Sequence, residues 1–188
     1  MKGVVFNLLE SFICEKWGHE KYEEILEMCP LKTREPFVSP GTYPDADLMT
    51  IATKTADNLG LSLEDALRAF GHYCFPRLAD RVPSLIEGLT DARSFLLSVD
   101  SVIHVEVRKL FPEAVTPKFI YEQPAADQLI IHYQSERKLC AFMEGLIDGV
   151  AKHFNTRIDY HQSACMHHGA DECEFHLTFS TLIEGAAS

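Results

Sequence analysis

Apolar residues recur at helical spacing through the first hundred or so positions. Val4, Val5, Leu8, Leu9, Phe12 and Ile13 predict a helix from about Lys2 to Trp17, closed by Gly18. A second helix is expected over Glu20–Met28, stopping before Pro30. Pro36, Pro40, Gly41 and Pro44 make Leu31–Pro44 a loop. Asp45 and Asp47 favour a helix start, and Leu48, Ile51 and Ala52 form its stripe to about Asn58, with Gly60 as the stop. Ser62, Glu64 and Asp65 cap a helix reaching about Leu78. A short helix is expected over Ser84–Gly88, and Thr90 caps a long one over roughly Asp91–Phe111.

After Pro112 the period changes. Lys118–Glu122 and Gln128–Gln134 read as strands joined by a turn through Pro124–Asp127, and Glu136–Phe154 as a helix. Arg157–Gln162 and Glu174–Phe179 read as two more strands, linked by a His-, Gly- and Cys-rich stretch, Ser163–Cys173. The order predicts an α+β fold: a mainly helical N-terminal half, residues 1–112, and a C-terminal β-β-α-β-β half, residues 113–188, with a four-stranded antiparallel sheet. A short linker near Pro112–Pro117 implies that the halves pack together within one domain spanning 1–188. There is no internal repeat and no low-complexity segment.

Composition narrows the function. At 188 residues and 46% apolar content the chain can enclose a core with room for a pocket. Its net charge of −11, with no Lys/Arg-rich run, argues against nucleic acid and anionic membrane as partners. No apolar run approaches the roughly 18–20 residues of a membrane span. The start, Met1–Glu10, turns polar within ten residues and has no small-residue cleavage site. The six cysteines, Cys14, Cys29, Cys74, Cys140, Cys165 and Cys173, then read as thiols or metal ligands in a cytoplasmic protein. Cys14 and Cys29 suit small buried packing positions.

Two constellations carry chemistry. His104 lies within a helical run, and Tyr133-Gln134-Ser135-Glu136-Arg137 clusters hydroxyls with a guanidinium. An imidazole on a helix is the ordinary protein ligand of heme iron. An arginine fork with hydroxyls suits a pair of carboxylates. Taken alone, the same residues also suit a core histidine and an exposed strand end leading into a helix cap. The second constellation is His161-x3-Cys165-x7-Cys173, where thiolates and imidazole favour zinc or an iron–sulfur centre. Cys140, His167 or His168 are open choices for a fourth ligand.

The chain resembles the heme-nitric oxide/oxygen-binding (H-NOX) family, which shares its fold with the heme domain of soluble guanylate cyclase. The resemblance rests on Met1-Lys2-Gly3, Ala69-Phe70-Gly71, Val102–Val107 around His104, Tyr133–Arg137, and Gly145-Leu146-Ile147-Asp148-Gly149. It implies heme b between the two halves, with His104 as proximal iron ligand and Tyr133, Ser135 and Arg137 on the propionates. Val5, Leu9, Cys74, Leu78, Pro117 and Phe142 would line the heme pocket, with Pro117 pressing on the porphyrin. Oxygen-binding members carry a tyrosine five residues after the matching arginine. Phe142 stands there in this chain and offers no donor, and the other polar distal positions match Leu9 and Cys74. Nitric oxide is therefore the expected ligand, in preference to oxygen. A zinc-bearing subset of the family implies Cys140, His161, Cys165 and Cys173 as zinc ligands, with cysteine oxidation as a second, redox input. The family also implies a partner, a sensor histidine kinase or a cyclic-di-nucleotide signalling enzyme, reached when His104 leaves the iron.

Two other readings compete. Cys165–Phe175 resembles 4-vinyl-reductase-like domains, zinc-containing modules that bind small hydrophobic ligands. That reading leaves the first 112 residues and the Tyr133–Arg137 motif unexplained. Catalysis has little support. There is no phosphate-binding glycine loop, no base or oxyanion motif beside a cysteine, and no polar distal group for peroxidase-like chemistry.

Overall fold

The computed structural model describes residues 1–181. Helix α1 (Gly3–Trp17) buries Phe6, Leu8, Leu9, Phe12 and Ile13 and stops at Gly18, whose φ of 93° suits a residue without a Cβ. Helix α2 (His19–Glu27) buries Tyr22 and Ile25. The Pro-rich stretch after it folds back over α1. Gly3 N–H donates to the Gly41 carbonyl at 2.9 Å, and Asn7 Nδ2 donates to the Phe37 carbonyl at 2.7 Å. Buried Asp47, on α3 (Asp45–Leu59), fastens this loop. It accepts from the Lys32 and Thr33 N–H groups, each at 2.9 Å, and from the Thr33 hydroxyl at 2.7 Å. Those bonds make the buried carboxylate tolerable.

Helix α4 (Leu63–Ala79) opens on a reciprocal cap. Ser62 Oγ accepts the Asp65 N–H at 3.0 Å and donates to the Asp65 carboxylate at 2.7 Å. A single turn, α5 (Pro83–Ile86), precedes the segment expected to form one long helix over 91–111. That helix is divided into α6 (Ala92–Ser98), a π-helical turn (Val99–Ile103) and α7 (His104–Leu110). Its cap is Asp91 instead of Thr90, the carboxylate accepting the Ser94 N–H at 2.8 Å. Neither the π turn nor α7 contains a fully buried residue.

The second half forms a four-stranded antiparallel sheet of order β1-β2-β4-β3, from β1 (Lys118–Glu122), β2 (Gln128–Gln134), β3 (Thr156–Ala164) and β4 (Cys173–Thr181). Leu129, Ile131, Tyr133, Cys173, Phe175 and Leu177 alternate onto its inner face and share a core with α8 (Cys140–His153). The outer face carries Glu122, His132, Glu174 and His176. Helix α8 begins later than the expected Glu136. Residues 135–139 form a turn in which Lys138 has a φ of 50° and its N–H donates to the Ser135 carbonyl at 3.0 Å. Pairing of β3 with β4 slips between Gln162 and Ala164, a β-bulge.

The halves meet where α4 lies against α8. A Cβ on Gly71 would stand 2.1 Å from the Phe142 carbonyl oxygen, and one on Gly145 would stand 1.9 Å from that of Arg68. The helices can approach this closely only because both positions lack a side chain. Leu146 packs against the cores on both sides. No helix among the described residues is long and apolar enough to cross a membrane.

Candidate functional site

A cavity of about 180 Å³ lies between α4, α6, the π turn, α8 and the sheet. Phe75, Leu78, Ile103, Phe119, Met143 and Leu146 contribute to its wall. Polar groups enter the lining from two side chains, His104 and Tyr121. The His104 side chain is 15% exposed, and burial pushes its pKa below the usual histidine value, keeping the imidazole neutral. Its Nδ1 lies 3.4 Å from the Asp100 carboxylate, one helical turn upstream, and its ring stacks on Phe119 with centroids 5.5 Å apart. Nε2 has no hydrogen-bond partner among the described residues. A carboxylate on one ring nitrogen orients a histidine whose other nitrogen binds a metal. Asp100 was open to recognition from the sequence: it stands four residues before His104, on the same helix face.

The other residues implied for heme are distributed around this cavity. Leu78 lines it. Leu9 and Cys74 are buried in the adjoining core of the helical half, and Val5 and Phe142 pack against that core. Phe142 meets Phe70 with ring centroids 5.2 Å apart. Burial pushes the Cys74 thiol pKa up, so it remains protonated. Pro117, half-buried, precedes β1 outside the cavity wall.

Tyr133, Ser135 and Arg137 come together at the end of β2 and the turn into α8, outside the wall of the cavity. The Tyr133 ring lies 5.7 Å from that of Phe119, the ring that stacks on His104. Arg137 Nε donates to Asp45 at 2.6 Å and its Nη1 to the Val115 carbonyl at 2.7 Å. Asp45 also binds the N-terminal ammonium. Burial opposes ionisation of Asp45, but the ammonium and the guanidinium outweigh it and hold the carboxyl below its usual pKa. Nη2 of Arg137 takes no partner among the described residues. The guanidinium thus already holds one carboxylate and keeps donors for another. Arg137 also borders a second pocket, of about 330 Å³, with Met1 and Asp45.

The cysteine cluster lies elsewhere on the inner face. Cys140, Cys165 and Cys173 bring their sulfurs within 4.8 Å of one another. Cys165 is central, 3.9 Å from Cys140 and 4.0 Å from Cys173. Burial and the two neighbouring sulfurs push the Cys140 pKa up to about 12. Burial pushes the Cys173 thiol up as well, so a metal would have to displace protons from Cys140 and Cys173.

His161 does not join them. It is exposed and pairs across the strands with His176, their rings stacked 4.8 Å apart. Directly opposed residues share a face, and His176 alternates with buried Phe175 and Leu177, so His161 lies on the outer face. In a regular strand, residues four apart share a face, so an unbroken β3 would put His161 and Cys165 on the same side. The bulge between Gln162 and Ala164 inserts one residue and reverses that parity. His167 is also engaged. Its Nε2 lies 2.7 Å from the Lys138 carbonyl, an acceptor, so that nitrogen carries the proton.

Comparison with known proteins agrees with this geometry. The model of the family described as Haem-NO-binding matches residues 2–162. No curated protein matches. Among solved structures, an H-NOX protein from Shewanella oneidensis in the Fe(II)NO ligation state is 33% identical, with a TM-score of 0.90 over 96% of this chain and 100% of that one. An Fe(II) unliganded H-NOX protein from K. algicida is 27% identical, with a TM-score of 0.90 over 99% of this chain and 100% of that one. The IWP-051-bound H-NOX from Shewanella woodyi is 30% identical, with a TM-score of 0.83 over 100% of this chain and 98% of that one. The family match takes in the helical half, which the 4-vinyl-reductase-like reading left unexplained. The helical half, the antiparallel sheet and the shared sequence together make this chain a member of the Haem-NO-binding, or H-NOX, family.

Proposed function

We propose that this chain is a heme-based sensor of nitric oxide with His104 as the proximal iron ligand. The observation that carries the reading is one neutral imidazole in a cavity lined, Tyr121 aside, by apolar side chains, and borne on a helix with no fully buried residue. When bound, heme would supply a ferrous iron able to take a diatomic gas.

Asp100 holds Nδ1 and Phe119 fixes the ring plane, so Nε2 presents its lone pair. Tyr133, Ser135 and the free Nη2 donors of Arg137 would take the propionates, and Pro117 would press on the macrocycle. Val5, Leu9, Cys74, Leu78 and Phe142 would face the gas. Oxygen binding draws on a hydrogen-bond donor beside the gas, whereas nitric oxide binding does not. Phe142 and Leu9 carry no donor, and Cys74 has only a weak S–H. The one hydroxyl in the cavity, that of Tyr121, lies by the Asp100 backbone on the His104 side. Together these favour nitric oxide over oxygen.

Release of His104 would leave α7 without a fully buried anchor, tied by contacts such as that of Arg108 with Thr116. The helix could then turn and let the helical half rotate against the sheet half, a two-state element biased by ligand. A sensor histidine kinase or a cyclic-di-nucleotide signalling enzyme would read that change in the cytoplasm. The cysteine cluster would hold zinc and give a redox input, since oxidation of metal-bound thiolates releases the metal.

The test is the absorption spectrum of the reduced protein, anaerobic and then with nitric oxide, carbon monoxide and air. A five-coordinate ferrous heme that binds nitric oxide and carbon monoxide and stays unliganded in air is expected. A stable complex in air would overturn the selectivity. Absence of heme after expression with ample heme would overturn the sensor reading and favour the zinc-containing, small-molecule-binding module.

A further inference from the structure

The three cysteines are arranged for a metal, but the fourth residue the sequence offers is on the wrong face. His161 points away with His176, and none of His161, His167 and His168 brings a ring nitrogen within the 4.8 Å span of the three sulfurs. The inner-face residue of β3 nearest the cluster in register is Gln162. It pairs with Phe175, two residues along β4 from Cys173, and lies three residues before Cys165. Such a diagonal cross-strand step is about 7–8 Å, within reach of a long side chain. Gln162 Nε2 is the one buried side-chain polar atom without a hydrogen-bond partner among the described residues. An orphaned buried amide is unfavourable, and one in a native core calls for an explanation. Its carbonyl and amino ends differ little in shape and exchange places by rotation about one bond. Rotation here breaks no bond to Nε2 and presents the oxygen where the nitrogen stood.

We propose that Cys140, Cys165 and Cys173 form a three-thiolate metal site whose fourth position is faced by the amide of Gln162, not by the imidazole of His161. The inference rests on reading the cluster as a metal site. A neutral amide oxygen is a harder, weaker partner for zinc than an imidazole. The site therefore holds zinc less tightly than a closed three-cysteine, one-histidine site, and its fourth position exchanges with small ligands. The same chain supplies a control, because Gln162→His would place an imidazole on the inner face where His161 is not.

The experiment uses the full heme-loaded protein with zinc alone as the probe. Equilibrium dialysis with metal analysis gives affinity, and zinc-edge X-ray absorption counts sulfur and imidazole neighbours. The heme spectrum of each variant checks that it is folded. The expected result is one zinc with three sulfur neighbours and no imidazole in the unmodified chain. His161→Ala should change the affinity by less than about threefold, and Gln162→His should add an imidazole and tighten binding roughly tenfold or more. Imidazole scattering in the unmodified chain, a larger loss in His161→Ala, or no gain in Gln162→His would overturn the open site while leaving a metal site standing. No zinc in any folded variant would overturn both the open site and the metal reading.

Discussion

His104 illustrates how much one residue's meaning depends on its neighbours. The imidazole is neutral because burial disfavours its charge, and it is aimed because Asp100 and Phe119 constrain the ring. If Asp100 orients the ligand, Asp100→Asn should weaken heme retention by about tenfold. It should also lower the iron–histidine stretching frequency in the resonance Raman spectrum. An unchanged frequency would make the contact incidental. On the gas side, Phe142→Tyr would put a hydroxyl among Leu9, Cys74 and Phe70, which carry none. The variant is expected to form a complex in air that persists long enough to record by absorption, where the unmodified chain forms none. His104→Gly should bind heme only with added imidazole, and a native spectrum without it would exclude His104 as the ligand. His104, Phe142 and the Tyr133–Arg137 cluster could be picked out from the sequence. Asp100 could have been, from its one-turn spacing. The Asp45 partner of Arg137 could not, because those residues are 92 positions apart and no local pattern connects them.

Among the elements, the contact between α4 and α8 sets how closely the two halves can approach. Gly145→Ala would place a methyl carbon against the Arg68 carbonyl oxygen, a backbone atom that cannot swing aside. It should destabilise the fold by about 2–3 kcal/mol, read as a lower denaturant midpoint at unchanged slope. A change near zero would mean that α4 and α8 separate easily. The helices and strands themselves were largely legible because each rests on local signals: the stripe of α1, the Ser62 cap, the alternation in β1 and β2. The misses came where local signals compete. A single helical pattern covers 91–111, yet the π turn interrupts it just before His104, a position where such distortions often mark function. The turn at 135–139, with Lys138 in a left-handed conformation, takes what looked like the first turn of α8.

For the whole molecule, Asp45 links the N-terminal ammonium, α3 and the Arg137 turn, and through Arg137 the segment ahead of β1. Its carboxyl is held below the usual value, so the folded state favours the ionised form. The stabilisation is complete above the carboxyl's ordinary pKa, and it is lost as pH falls through the lower folded value. Asp45→Asn should therefore lower the urea midpoint at pH 7, and the gap to the unmodified chain should close below about pH 4. A gap independent of pH would show that the carboxylate charge is not what matters. The sequence by itself determined the fold class and the two halves, and singled out candidate residues for a heme, because helical periodicity, strand alternation and short motifs are written within a few turns of chain. Only the tertiary structure decided which side chains meet. One inserted residue in β3 moves Cys165 to the inner face and leaves His161 on the outer one, since a strand's faces alternate by residue and a bulge reverses the count. That parity depends on pairing with β4, which no segment of β3 alone can specify.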